Sequence, residues 1–534
     1  MSDFYDYIVV GSGPSGVMAA QTIAEAGKKI AILDVGNKDE KYSNLVPDKD
    51  FNAIRKSIEN QKRFFLGDDY EALPDDDVKT GAQLTPSRKA MIKDVDEWLK
   101  IDSDNFFPME SLGYGGLGAG WGLGAYVYSD LELKKCGLPT DEMKSAYQTI
   151  ADRIGISCGD DDLKKYLVGD LNNIQKPLKS DNSISKILNK YNKKKAKINK
   201  MEVFMGAPSM AFLTEDLKER KATEYNDMDF YADIGKSAYR AQFTIDDLKK
   251  LDNFHYLDNN LVISFKELEN YVEVKTIDVI SKKEKIYKAG KLLLAAGAIG
   301  SGRIALRSLN INSLPILSNH YTYMPCIYPP MLGKSLGAKT SMAQAMMIYD
   351  KGLSHSNIVS VALYTYRSLL LHKLIKEGPV NYKDGRKLFQ LLQSSFVIAG
   401  IHHPDEYSEN KIMKLKKDQN SPTSDSLFVD FRRDNQEMKQ ISKNEKHIQK
   451  ALIKLGVFPI KKINPGNGSS IHYAGSLAYS ESEKIGNSNQ HGKLYGFNNV
   501  YAVDGSGFKY LPAKGITLSL MANAHRISKK LINN

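Results

Sequence analysis

Three glycines and one carboxylate near the start of the chain are spaced to hold a dinucleotide. Gly11, Gly13 and Gly16 stand in a G-x-G-x-x-G pattern, and Asp34 follows about 20 positions after them. In such a turn the first glycine permits the tight bend. The second lets backbone approach a pyrophosphate, and the third lets a helix pack closely on a strand. The helix that opens near Ser15 aims its N-terminal N–H groups at that phosphate. Asp34 is placed to take a ribose diol, and no arginine adjoins it to receive a 2′-phosphate. The ligand expected is an NAD-like or FAD-like adenosine diphosphate.

The elements that must position these groups are legible around them. Ile8, Val9 and Val10 suit a central parallel strand, a helix runs on to about Glu25, and Lys29–Asp34 predicts a second strand. Seven glycines between Gly113 and Gly124, interleaved with Tyr114, Leu117 and Trp121, predict a loop lying against a cofactor rather than a linker. A helix is expected over residues 141–155, with Ala146, Ile150 and Ile154 on one face. Residues 160–200 are rich in lysine and asparagine and are expected on the surface. Leu261–Phe265, Tyr271–Lys275 and Lys285–Ala289 predict successive strands. Lys291–Ala296 predicts a further buried strand, ending in a small-residue turn before a helix with Ile304, Ala305 and Leu309. Ile358–Tyr364 and Ser395–Gly400 are strand-like, and His402-His403, with no suitably spaced partners for a metal, marks a strand end. Asp75-Asp76-Asp77 is expected in a loop, and the Leu369-Leu370-Leu371 stripe on a helix that packs on a sheet or rests on a membrane surface. Near the end, Asn499–Asp504 predicts a strand closing on an acid, and Gly515–Lys530 a helix with Leu518, Met521, Ala522 and Ile527 inward.

Composition bounds the class. The 534 residues are 42% hydrophobic and 9% aromatic, enough for a large core and against global disorder. The net charge of +11 lies partly in runs such as Lys193–Lys195 and Lys416-Lys417, read as solvated surface. No RNA-binding motif accompanies it, so no nucleic-acid partner is expected. Three scattered cysteines, Cys136, Cys158 and Cys326, form no C-x-x-C, which argues against a disulfide framework or zinc site and for a reducing compartment. No charged-then-apolar leader and no apolar run of about 20 residues is found, so a soluble cytoplasmic protein is expected.

Four segments, in this order, resemble the glucose-methanol-choline (GMC) family of FAD oxidoreductases. They are Gly11–Gly16 with Asp34, Gly113–Gly124, Leu292–Ser301 (close to A-A-G-A-x-x-S), and Ile471 to about Lys530. The last holds His472 and Gly496–Ser506, similar to H-P-x-G-T followed by G-x-x-N-L-x-V-x-D-x-S. The resemblance implies an α/β fold: an FAD-binding Rossmann-like β-α-β domain in three layers, with an inserted α+β substrate domain on a mixed or antiparallel sheet. The nucleotide domain would comprise 1–36, 105–160, 225–312 and 485–534. The substrate domain would take 313–484 with parts of 37–104 and 161–224. Gly11, Gly13, Ser15 and Gly16 would hold the pyrophosphate, Asp34 the ribose, Gly115 and Gly116 the flavin side, and Val262 the adenine through its backbone. Gly297 and Ala298 would close the nucleotide pocket. Asp504 and Gly505 would sit near the ribityl chain, with the final helix aimed at the flavin. His472 falls at the catalytic histidine, the base that takes a hydroxyl proton while hydride leaves for the flavin.

This chain departs from the family pattern in three ways. Tyr473-Ala-Gly-Ser replaces proline and glycine-threonine after the histidine. The N-P-x-x-T segment that supplies a second histidine or asparagine is replaced by Leu511–Thr517, so that partner is missing or is Lys514. Gly120 stands where some members attach flavin covalently, so FAD is expected to be non-covalent.

The leading expectation is an oxidoreductase acting on a CH–OH group of a small molecule, a sugar, polyol or glycan precursor, with an unidentified electron acceptor. A flavin-dependent reductase or desaturase on a lipid-linked substrate is the alternative, motivated by Lys514 and the leucine stripe, which also allows peripheral membrane contact. A basic flavoprotein with a binding role is the third.

Overall fold

In the computed structural model, which describes residues 4–47, 49, 59, 61–72, 84–222, 233, 235–337, 342–365 and 381–533, the first strand lies inside a sheet. This strand, β1 (Phe4–Val10), leads into α1 (Pro14–Glu25) and then β2 (Ile30–Leu33). Further along the chain come β3 (Phe254–Leu257), β4 (Asn260–Glu267), β5 (Val272–Asp278), β6 (Glu284–Leu294) and α2 (Gly297–Leu309). β3, β2, β1 and β6 pair in parallel in that order, and the strand Val500–Ala502 adds in parallel beside the end of β6. Ile8, Val9 and Val10 are buried because both faces of this sheet are covered.

The two strands expected on either side of Gly290 are one. β6 pairs antiparallel with β5 through its first half and parallel with β1 through its second. A Cβ built on Gly290 would stand 3.0 Å from the Asp6 carbonyl oxygen, so bare backbone lets β6 run past β1 without a break.

One face of the sheet is covered by α1, the helix Thr140–Ile154 and the final helix Thr517–Asn533, which share a core with Val9, Ile30 and Ile32. Thr22 on α1 meets His525 Nδ1 at 2.7 Å, and the Tyr7 hydroxyl donates to the Leu531 carbonyl at 3.1 Å. The two ends of the described chain therefore pack together. α2 and the strands Lys411–Lys417 and Asp425–Phe431 cover the other face.

A second, antiparallel sheet holds β7 (His320–Ile327), β8 (Ala345–Asp350), β9 (Ile358–Thr365) and β10 (Phe396–His403). Its order is Phe458–Pro459, β7, β10, β9, β8, then Val203–Gly206. Alternate residues such as Met324, Val361 and Ala399 face the helices Asn182–Asn199 and Asn435–Lys454. The lysine-rich stretch expected on the surface thus buries Ile184, Ile187, Tyr191 and Ile198 against this sheet. The opposite set of side chains, Tyr321, Tyr323, Ser360, Tyr364 and His402, faces away from those helices.

His403 does end β10. Asp75–Asp77 and Leu369–Leu371 lie outside the described residues. Among the described residues no helix is long and apolar enough to cross a membrane, no group of three metal-ligating side chains occurs, and the three cysteines are free and buried.

Candidate active site

Two glycine turns lie at the end of the parallel sheet, one after β1 and one after β6. Gly11 has φ +93°, and a Cβ on Gly16 would stand 2.0 Å from the Gly11 carbonyl oxygen. Gly16 is therefore required for α1 to seat against β1. Nothing lies within 4 Å of where a Cβ would project from Gly13 or from Gly297, whose φ is +79°. Both bare backbones look onto open space, as a turn that receives a pyrophosphate must. Gly116 closes one side: its Cβ would stand 3.1 Å from Gly13 Cα. The Gly115 N–H donates to Ser12 Oγ at 2.9 Å, tying the second glycine loop to the first. Ser15 is buried in the first turn of α1.

Asp34 follows directly on β2. Two hydroxyls converge on its Oδ2, from Ser12 and from Tyr256 at 2.8 Å. Burial pushes its carboxyl up to about 6 against the lowering effect of those donors. Ser12 and Tyr256 were not singled out in the sequence, although Ser12 lies inside the glycine motif. Val262 is buried on β4, where the ladder to β5 shifts register before Ser264. The Ala298 carbonyl accepts the Ser476 hydroxyl at 2.6 Å. Asp504 is a buried clamp. It accepts the Ser301 hydroxyl at 2.6 Å and the Ser506 N–H at 2.9 Å, and burial raises its carboxyl. It thereby fixes the turn after β6 to the turn at 504–507.

His472 stands on a constrained stretch. Ile471 before it has φ +61°, a conformation that β-branched residues rarely adopt. The surroundings hold it there. Tyr473–Ala474 pair antiparallel with Leu317–Ser318. The N–H groups of Gly475, Leu477 and Tyr479 donate to the carbonyls of Gly505, Ser506 and Gly507 at 3.1, 2.8 and 2.7 Å. A Cβ on Gly505 would stand 2.9 Å from the Tyr473 carbonyl oxygen, so this glycine lets the two segments close.

The histidine ring is oriented by Asn319, which sequence reasoning missed. The Asn319 amide nitrogen donates to the carbonyls of His403, Leu511 and Pro512 at 2.8, 3.3 and 3.1 Å. Its Oδ1 therefore faces His472 Nδ1, 3.0 Å away, as an acceptor. Nδ1 must carry the proton, which leaves the lone pair on Nε2. Burial lowers His472 to about 4, so the ring is neutral near pH 7. Asn319 is itself seated by a buried charge network. Asp405 accepts the Ser318 N–H at 2.9 Å and Arg433 donates to the Ser318 carbonyl. Asp405 is paired with Arg433 at 2.7 Å and Lys411 at 2.5 Å, and Glu437 completes the set.

Lys514 does not join His472. Its amine lies 2.7 Å from Glu132 and 3.0 Å from the Val127 carbonyl, in a pair with 2% and 0% of the two side chains exposed. An ammonium held there is not offered to a substrate oxygen, which corrects the expectation from the sequence. The residue brought beside His472 is His402, with ring centroids 5.2 Å apart.

No protein-family model matches the chain. Its fold is that of two solved structures, each matched over 99% of both chains. One is pyridoxine 4-oxidase from Mesorbium loti, at TM-score 0.56 and 13% identity. The other is an FAD-dependent oxidoreductase from Chaetomium thermophilum, at TM-score 0.57 and 12% identity.

Proposed function

We propose that the chain is an FAD-dependent oxidoreductase that oxidises a CH–OH group, with His472 as the base. The observation that carries this reading is the fixed tautomer: a neutral imidazole whose Nδ1–H is engaged by Asn319 and whose Nε2 keeps a lone pair. The cradle fits FAD, on which the Chaetomium thermophilum neighbour depends. Gly13 and Gly297 would line the pyrophosphate, Asp34 would take the ribose, and Gly115 and Gly116 would flank the flavin. Val262, Ala298, Asp504 and Gly505 complete the expected lining. Bound flavin supplies the acceptor for the hydride that leaves the carbinol carbon. The chain's own part is to hold the hydroxyl, take its proton at His472 Nε2, and keep that nitrogen unprotonated beforehand. Positioned general-base catalysis of this kind contributes roughly 10²–10⁴-fold.

The division into nucleotide and substrate domains, non-covalent flavin at Gly120, a cytoplasmic location and a separate electron acceptor remain part of this reading. The lipid-linked alternative loses one motive, because Lys514 is engaged in its ion pair. Anaerobic titration of the purified yellow protein with a panel of alcohols tests the reading. Bleaching of the flavin band is expected, slowed roughly 10²-fold or more by His472→Ala. A colourless protein that cannot be reconstituted, or a band that no alcohol bleaches, overturns it. Acid precipitation should release the flavin into the supernatant.

A further inference from the structure

Resting on that reading, we propose that the alcohol taken by this site carries a flat aromatic ring on its carbinol carbon, received by a column of rings that ends at His472. The column runs across the second sheet. Tyr323 and Tyr321 stack with centroids 6.2 Å apart at 29°. Tyr321 and His402 lie 4.6 Å apart at 37°, and His402 and His472 5.2 Å apart at 27°. All four rings retain partial exposure, so none is sealed in a closed core.

The same face is nearly without charge. Across the positions of β7, β9 and β10 that point this way, no aspartate, glutamate, lysine, arginine, asparagine or glutamine occurs. The Ser360 hydroxyl there is engaged by the Ala513 carbonyl. Gly400 lies among the rings. A Cβ on it would stand 3.0 Å from Tyr321 Oη and 3.5 Å from Tyr364 Cε2, so the two tyrosines lie over bare backbone.

A sugar entering here would lose water from several hydroxyls and meet few partners to replace it. A planar ring loses little and gains face and edge contact with tyrosine and imidazole. His402 is neutral, held well below its ordinary value by burial, so it offers an uncharged ring to the stack. The sugar or polyol expected from the family resemblance is thereby replaced by an aryl carbinol.

The test compares 2-naphthalenemethanol and benzyl alcohol with cyclohexylmethanol, 1-hexanol, D-glucose and sorbitol, using the holo-protein under anaerobic conditions. Flavin reduction per mole of substrate should favour the aryl carbinols over cyclohexylmethanol by at least about tenfold. Tyr321→Leu should remove that preference while Tyr321→Phe keeps it. Binding is read separately from the fluorescence anisotropy of 2-naphthalenemethanol, with cyclohexylmethanol as competitor. Should Tyr321→Leu not fold, His402→Leu serves for the same binding loss. Faster reduction by glucose or cyclohexylmethanol, or equal losses for all alcohols in Tyr321→Leu, overturns the proposal and leaves the oxidoreductase reading standing. If no alcohol reduces the flavin, that reading fails, and anisotropy alone decides: selective binding lost in Tyr321→Leu supports the ring column, and unselective binding overturns it.

Discussion

One amide sets what His472 can do. Asn319 has only its oxygen left for the imidazole, so it selects the tautomer with Nε2 open. Asn319→Leu should lower kcat roughly 10–100-fold with a smaller change in KM, because ring orientation is lost while the substrate face is untouched. The pH profile carries a sharper sign. With His472 at about 4, the proposed base is already neutral at neutral pH, and the acid limb of the rate should fall near 4. Asn319→Asp places a carboxylate beside Nδ1–H and favours the imidazolium, so the limb should move to higher pH. A limb that stays in place would mean that another group titrates. Lys514 makes the complementary case. Removing one partner of its buried pair should cost about 3–5 kcal/mol of stability in Lys514→Met without slowing reduction of the flavin that remains bound. Adding Glu132→Leu should recover most of that loss in a thermal melt. His472 could be singled out from the segment it sits in. Asn319 and Glu132 were not, because no local pattern shows which distant side chain a loop will meet.

At the scale of elements, the glycine turns separate folding from binding. Gly16 is bare because α1 must touch β1, whereas Gly13 is bare beside open space. Gly16→Ala should therefore destabilise the apoprotein itself. Gly13→Ala should leave the apoprotein melt unchanged and weaken flavin affinity, as read by fluorescence of released FAD. Equal effects from both would remove the cradle from the account. The first β-α-β unit was legible because its apolar run, glycines and acid are all local. The errors came where tertiary contact overrode composition. β6 runs on through Gly290 because the close passage of β1 calls for a residue without a side chain. The helix Asn182–Asn199 looks like surface by its lysines, yet its isoleucines and Tyr191 repeat at helical spacing and cover the second sheet.

Across the whole molecule, acid should act on fold and cofactor by different groups. His472 and His525 are each lowered from 6.5 to about 4 by burial, His320 to about 3, and His402 and His403 well below 6.5. The unfolded chain accepts protons on these rings that the native chain refuses. The stability they contribute is present above 6.5 and lost as pH falls towards about 4. Asp34 runs the other way. Its native value of about 6 exceeds the ordinary carboxyl value of 3.8, so between those values the fold holds a proton that the unfolded chain has released. Burial raises Glu110, Asp161, Asp181 and Asp504 in the same direction, and it lowers His491 with the other histidines, so the carboxyls offset only part of the loss. The Tm of the apoprotein should thus fall as pH drops from 6.5 to 5. The holo-protein should fall further over the same window. In the proposed reading a ribose diol binds the Asp34 carboxylate and favours its charged form, so protonation below about 6 should weaken FAD binding and with it the stabilisation that binding confers. Asp34→Asn separates the two effects. It should leave the acid sensitivity of the apoprotein in place, weaken FAD at pH 8, and flatten the dependence of affinity on pH between 5 and 7. If affinity in Asp34→Asn still falls over that range as steeply as in the parent chain, a different group governs cofactor release.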